Sequence, residues 1–66
     1  MKVDTARFTS SHGKAPRGKG RWAFEARVRG SWELVSAPGQ MTITEAKRWA
    51  VQSAREMGAD SIQLAP

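Results

Sequence analysis

The segment from Thr42 to Gly58 constrains the fold most, because it carries both a helix start and a helix stop. Thr42 and Glu45 are spaced as a capping box, in which each side chain accepts a hydrogen bond from the other residue's backbone N–H. Gly58 suits the left-handed position that follows a helix. Between these signals, small and apolar residues share one helical face: Ile43, Ala46, Ala50, Ser53, Ala54 and Met57, with Trp49 at its edge. The pattern predicts an amphipathic helix that ends at Met57 and lies close to a sheet.

Strict alternation marks the clearest strand, Gly20–Arg29. Its apolar positions, Trp22, Phe24, Ala26 and Val28, alternate with Arg21, Ala23, Glu25, Arg27 and Arg29. A period of two predicts a strand with one face on the core and the other carrying arginines. We expect Gly30-Ser31 to form a tight turn and Trp32–Ser36 to return as the antiparallel partner in a hairpin.

The remaining segments complete a predicted order of β-β-β-α-β. Lys2–Thr9 contains β-forming residues and predicts a first strand. Ser10–Gly20 is rich in glycine and predicts a loop, and the apolar run Ser61–Leu64 predicts a short fourth strand at the sheet edge. We therefore expect one α+β domain over residues 1–66, a three-stranded antiparallel sheet packed on one C-terminal helix. Without a second helix, the outer face of this sheet is left to solvent or a partner.

Length and composition argue against catalysis. The chain has 66 residues, no cysteine and one histidine, which excludes a two-lobed enzyme, a disulfide, a cysteine-based zinc site and a multi-histidine metal site. No nucleophile–base pair can be read from the spacing, and we interpret His12 as a loop residue. We expect no enzymatic activity, cofactor or metal. The polar N-terminus argues against a secretion signal, and the lack of a long apolar stretch argues against a membrane span. We therefore expect a cytoplasmic protein.

Positive charge is concentrated in the first half of the chain. The net charge is +5. Residues 1–29 hold eight basic and two acidic residues (8 − 2 = +6), and residues 30–66 hold three basic and four acidic residues (3 − 4 = −1). Such asymmetry is typical of a nucleic-acid or acidic-surface contact. The alternative is a solvated face that only keeps the protein soluble.

The basic loop Gly13–Gly20 matches G-x-x-x-x-G-K of phosphate-binding loops. The next residue is Gly20 where nucleotide hydrolysis needs a Ser or Thr for magnesium, and a strand follows rather than a helix. We therefore predict contacts with a phosphate backbone, made by Lys14, Arg17 and Lys19, with the glycines allowing close approach. The alternative is a flexible, solvated loop.

The outer face of the main strand is the sharpest functional feature. Arg21, Arg27 and Arg29 share this face, and neighbours at i and i+2 lie about 6.6 Å apart. Arginines so spaced can contact successive phosphates or guanine edges, and a two-stranded ribbon fits the major groove of DNA. The alternative is a cross-strand pair between Arg27 or Arg29 and Glu33.

The three tryptophans are expected to differ in role. Trp22 is predicted to lie in the core and Trp49 to cover the sheet rim. Trp32 opens the second hairpin strand, where a stacking contact with nucleic acid and a core position are both open.

The run Gly20-x-Trp22, the hairpin and Thr42-x-x-Glu45-Ala46 together resemble the three-stranded-sheet DNA-binding domain of tyrosine recombinase N-termini and plant ethylene-response factors. The resemblance covers about residues 20–58 and implies that the sheet enters the major groove of DNA. It would carry contacts over to Arg21, Arg27, Arg29 and Trp32. The glycine- and lysine-rich loop and the segment after the helix depart from this pattern, and recombinase catalysis is not implied.

These observations predict a nucleic-acid-binding protein, with DNA favoured over RNA. The alternative is a protein-interaction module, an adaptor or an inhibitor, that binds an acidic protein surface with the same basic loop or with an exposed edge strand. We expect no membrane partner, and a monomer or a weak homo-oligomer.

Overall fold

Two helices and a four-stranded sheet organise the chain in the computed structural model, which describes residues 1–66. The elements in chain order are β1 (Val3–Asp4), α1 (Ala6–His12), β2 (Lys19–Gly20), β3 (Ala23–Val28), β4 (Ser31–Ser36), β5 (Met41–Thr42), α2 (Ile43–Met57) and β6 (Ser61–Leu64). The main sheet has the order β1-β6-β3-β4, and β2 pairs with β5 separately. β3 is antiparallel to both of its neighbours, whereas β1 and β6 are parallel. The predicted α+β class is thus confirmed.

Helix α2 forms as its capping signals predict. The Glu45 N–H donates to Thr42 Oγ1 at 3.2 Å, and the Thr42 N–H donates to Glu45 Oε1 at 2.9 Å. At the other end Gly58 has φ 74, and the Ala59 N–H donates to the Ala54 carbonyl at 2.8 Å, which closes a Schellman motif. Ala46, Ala50 and Ala54 are fully buried on the face of α2 that packs against β1, β3 and β6. Small side chains thus let the helix lie close to the sheet.

The hairpin also follows the prediction, with a shift of one residue at its turn. Phe24 and Ala26 of β3 are fully buried, and β4 pairs with β3 in antiparallel register. The turn residues are Arg29 (φ 52) and Gly30 (φ 81), which define a type I′ turn. The predicted turn Gly30-Ser31 is therefore wrong by one position, because Ser31 already pairs with Val28. The strand is also shorter than Gly20–Arg29.

The predicted first strand Lys2–Thr9 is wrong. Only β1 is extended, and α1 follows after Thr5. The carboxylate of Asp4 accepts a hydrogen bond from the Ala6 N–H at 2.9 Å, a local bond that turns the chain out of the strand. Gly13 then ends α1 with φ 73. This local bonding outweighs the β propensity of the segment.

Two further predictions change as a result. The predicted loop Ser10–Gly20 begins only after α1, so His12 is the last helical residue, with its ring stacked on Phe8 at 3.9 Å. The last two residues of the predicted loop, Lys19 and Gly20, form β2, which pairs with β5.

Strand β6 is internal rather than an edge strand. It lies between β1 and β3, and the Asp60 N–H donates to the Arg27 carbonyl at 3.0 Å where the chain returns from α2. Ile62, Gln63 and Leu64 are all buried. The predicted three-stranded antiparallel sheet with one helix is therefore corrected to a mixed four-stranded sheet with two helices.

The core is small and one-sided. Its nine buried apolar residues are Val3, Phe24, Ala26, Ala46, Ala50, Ala54, Ala59, Ile62 and Leu64. They fill the space between α2 and the strands β1, β6 and β3, and β4 contributes none of them. Neither helix is long and apolar enough to cross a membrane.

Candidate nucleic-acid interface

Nearly all of the positive charge is unpaired. All eleven Lys and Arg side chains are exposed. The one salt bridge joins Arg7 Nη1 to Glu25 Oε1 at 2.9 Å, so the other ten cations have no carboxylate partner. Because no carboxylate neutralises these exposed cations, their charge is available to attract an anionic partner.

Most of the negative charge, by contrast, is held by the chain's own donors. The Asp4 carboxylate accepts a hydrogen bond from the Ala6 N–H. The Glu25 carboxylate accepts hydrogen bonds from the Arg7 guanidinium and from the Gln63 amide, the second at 2.8 Å. Gln52 donates to Glu56 at 3.3 Å. With Glu45 of the capping box, four of the six carboxylates serve the fold.

Glu45 ties the basic loop electrostatically to α2. The Thr42 backbone N–H that donates to its carboxylate, and then the Thr42 side chain, lower the pKa of Glu45; Lys19 and Arg48 act in the same direction. Lys19 and Arg48 are therefore both close to this carboxylate, and Arg48 adds a cation on α2 that the sequence analysis left out. Its position three residues after Glu45 on one helix was the available signal.

The C-terminal end of the basic loop is anchored. Lys19 and Gly20 pair with Thr42 and Met41, and the Ile43 N–H donates to the Gly18 carbonyl at 3.1 Å. Trp22 Nε1 donates to the Met41 carbonyl at 3.0 Å just beyond. These bonds fix the loop against the start of α2, so it is not freely flexible along its whole length.

The three predicted strand arginines do not share one strand. Arg27 lies in β3, whereas Arg21 precedes the strand and Arg29 occupies the turn. Arg21 and Arg29 are eight residues apart, which corresponds to about 26 Å of extended chain, nearly the 30 Å length of the molecule. The prediction of one continuous arginine face is therefore corrected.

The predicted site residues form two groups at opposite ends of the sheet. The loop-end group consists of Lys14, Arg17, Lys19 and Arg21, and the pairing of Lys19 with Thr42 joins it to the start of α2. The hairpin-end group lies at the β3–β4 turn and consists of Arg27, Arg29 and Trp32. Lys2 lies at this second end as well, beside Trp32 at a shallow cavity, and the sequence analysis did not single it out.

Trp32 is exposed, unlike the other two tryptophans. It is 47% exposed and pairs with Arg27 across the hairpin, which excludes the core position that the sequence left open. Trp22, which was predicted to lie in the core, and Trp49 are both half-buried and pack against the core. Trp32 therefore has an aromatic surface free for contact beside an arginine.

The alternative pairing of an arginine with Glu33 does not form. Glu33 pairs with Ala26 and thus points to the face of the sheet opposite Arg27. The carboxylate on the face of Arg27 is Glu25, which Arg7 occupies. The hairpin arginines are consequently free of intramolecular ion pairs.

Comparison with known protein families, with curated proteins and with solved structures found no match to this chain. The resemblance to the recombinase and ethylene-response-factor domain therefore stays a prediction. The mixed four-stranded sheet differs from the three-stranded sheet that this resemblance implies. No three His, Cys, Asp or Glu side chains converge as metal ligands.

Proposed function

We propose that the protein is a non-enzymatic nucleic-acid-binding module, with DNA favoured over RNA. One observation carries this proposal. Ten of eleven Lys and Arg side chains are exposed without an ion-pair partner, while four of six carboxylates are held by the protein's own donors. A phosphate backbone supplies the missing anionic partner at regular spacing, and release of its counterions favours binding.

The loop-end group is proposed to make the main phosphate contacts. Its anchoring to α2 reduces the ordering entropy that a free loop would lose on binding. Gly18 has φ 85 and open space around its Cα, so backbone can approach a ligand closely there. Arg48 extends the same positive surface onto the helix.

The hairpin-end group is proposed to contact a second stretch of the same nucleic acid. The chain between Arg21 and Arg29 spans at most about 26 Å, which corresponds to at most roughly eight base pairs at about 3.4 Å each. Helix α2 packs mainly on β1, β3 and β6, so β4 is the strand of the hairpin that the helix leaves open. A two-stranded ribbon fits the B-DNA major groove, about 12 Å wide, but not the narrow major groove of A-form RNA. This favours DNA.

A salt titration tests the proposal. Fluorescence anisotropy with labelled duplex DNA, duplex RNA and single strands measures the affinity of each. If about six phosphates are neutralised, log K should fall against log salt with a slope of about −5. Absence of binding to all of these at low salt would overturn the proposal. Equal affinity for a polyglutamate chain would instead favour an acidic protein surface.

A matched pair of variants locates the site. Arg17→Ala should weaken DNA binding several-fold and reduce the magnitude of the salt slope by about 1. Arg55→Ala removes the same charge from the last turn of α2, at the opposite end of the helix from the loop-end group, and should weaken binding less. An equal loss in the two variants would show that only net charge matters, and would contradict a site at the loop end.

A further inference from the structure

The proposed nucleic-acid contacts use side chains of the β3–β4 hairpin and leave the backbone edge of β4 unpaired. β4 pairs only with β3, and every residue of β4 except Val35 is exposed. Leu34 is 69% exposed, and it lies on the same outer face as Trp32. An exposed strand edge with apolar side chains is a template for pairing with another chain.

The hairpin register determines which backbone groups are free. In a type I′ turn the Val28 and Ser31 backbones are hydrogen-bonded, and such pairs alternate along the ladder. The Ala37 N–H donates to the Trp22 carbonyl at 3.0 Å, which places a hydrogen-bonded pair at the far end of the hairpin, as this alternation requires. The residues that turn their backbone outward are therefore Trp32, Leu34 and Ser36. Each presents one N–H and one carbonyl without a strand partner.

Of the features that normally block such pairing, β4 has one, the charge of Glu33, which lies on the α2 side of the sheet. β4 contains no proline or lysine, and it pairs with β3 in an unbroken register without a bulge. Its single charged residue is Glu33. The protein that carries this edge has a small core, with ten of 66 residues buried, and burial of further apolar surface would stabilise it.

We propose that a second copy of this chain pairs with β4 in antiparallel orientation, with the two-fold axis through Leu34. This proposal is independent of nucleic-acid binding. The outward residues Trp32, Leu34 and Ser36 are centred on Leu34, so the two-fold axis sets Leu34 opposite Leu34 and Trp32 opposite Ser36. All outward N–H and carbonyl groups of both copies then pair, giving six hydrogen bonds.

Charge and hydrogen bonding both select this register. Centring the axis on Glu33 would place two carboxylates opposite each other, which is destabilising. It would also leave Ser36 without a partner and form four hydrogen bonds instead of six. In the Leu34 register, Glu33 faces Val35 of the second copy, and the two Leu34 side chains meet with Trp32 on the diagonal. The outward backbone groups of this edge are thus complementary to those of a second copy of the same edge.

The dimer is tested by mass and by its response to salt. A small interface of this kind predicts a weak dimer, so sedimentation of nucleic-acid-free protein should show twice 7.3 kDa only at high concentration. Each copy carries +5, and screening of their repulsion should strengthen the dimer as salt rises. Nucleic-acid binding has the opposite salt dependence, so the two proposals can fail separately. A constant mass of 7.3 kDa up to about millimolar protein would overturn the dimer.

Substitutions at the axis give a direct test. Leu34→Lys should weaken the dimer at least about tenfold, because two ammonium groups would meet, and the fold should persist since Leu34 is exposed. Ser11→Lys adds the same charge on α1 and should leave the dimer essentially intact. Equal dimerisation of the two variants would contradict the proposed interface.

Cross-linking reads the register itself, since the chain has no native cysteine. In the Leu34 register, paired Leu34 Cα atoms lie about 5.5 Å apart, within disulfide range. The two Glu33 Cα atoms lie about 8 Å apart, beyond that range. Leu34→Cys should therefore form a disulfide-linked dimer on mild oxidation, and Glu33→Cys should not. The reverse result, or monomer in both cases, would overturn the proposed register.

Discussion

Strands β6 and β4 flank the same central strand, β3, but differ in almost every physical respect. β6 is buried on both faces: Ile62 and Leu64 pack toward α2, and Gln63 is buried on the opposite face, where it donates to Glu25. Apart from Val35, β4 is exposed on both faces, and its backbone edge is free. Stability is therefore concentrated on one side of β3, and the surface available to partners lies on the other.

The largest contrast is expected between two leucines. Leu64 is 1% exposed and Leu34 is 69% exposed. Leu64→Ala should lower the free energy of unfolding by about 3 kcal/mol through lost burial and a cavity, and Leu34→Ala by less than about 0.5 kcal/mol. Urea denaturation at low protein concentration measures both. Similar losses in the two variants would show that the contrast between the strands is not energetic.

A smaller contrast is expected between two glutamates. The Glu25 carboxylate accepts hydrogen bonds from Gln63 and Arg7, whereas that of Glu33 on β4 accepts none. Glu25→Ala should destabilise the protein by about 2 kcal/mol, because the buried amide of Gln63 loses its acceptor. Glu33→Ala should change stability by no more than about 0.5 kcal/mol. Thermal unfolding compares them, and equal melting temperatures would contradict a structural role for the Glu25 contacts.

The helix that covers β6 but not β4 depends on its cap. Thr42→Ala should cost about 1 kcal/mol, because the Glu45 N–H loses its acceptor. Thr44 is an exposed threonine in the same turn whose side chain makes no hydrogen bond, so Thr44→Ala serves as the control. Helical circular dichroism during denaturation measures both variants, and a loss confined to Thr44→Ala would be incompatible with this cap.

The smallest expected effect is a pH dependence at the same cap. The pKa of Glu45 is lowered in the folded protein from its ordinary value of 4.5. A lowered pKa contributes stability above the unfolded value, and this contribution is lost as pH falls through the folded value. The melting-temperature difference between the wild type and Glu45→Gln should therefore shrink below about pH 4.5. A difference independent of pH would mean that the charge of Glu45 does not contribute.

The elements that sequence predicted correctly are those with local signals. The capping box, Gly58 and the alternation around Phe24 each specify structure within a few residues. The parallel pairing of Val3 with Ile62 joins the two ends of the chain, and no local pattern encodes it. The misplacement of β6 followed from this missing contact, and the misreading of α1 followed from a single bond at Asp4.

The candidate site was predictable by residue type but not by arrangement. The glycine-rich sequence around Lys14, Arg17 and Lys19 was enough to predict that these cations are exposed. The separation of Arg21 from Arg29 depends on where β3 begins and ends, and strand ends are set by pairing with β4 and β6 rather than by alternation. The exposure of Trp32 likewise follows from the position of β4 at the edge.

The left-handed backbone of Arg29 places a limit on how this protein can be improved. A side chain other than glycine, asparagine or aspartate at φ 52 costs about 1 kcal/mol or more, and asparagine is the favoured residue at this position of a type I′ turn. Selection of a variant library for thermal stability alone should therefore replace Arg29 with asparagine or glycine. Selection for DNA binding should retain the arginine, so the two selections are expected to diverge at this one codon.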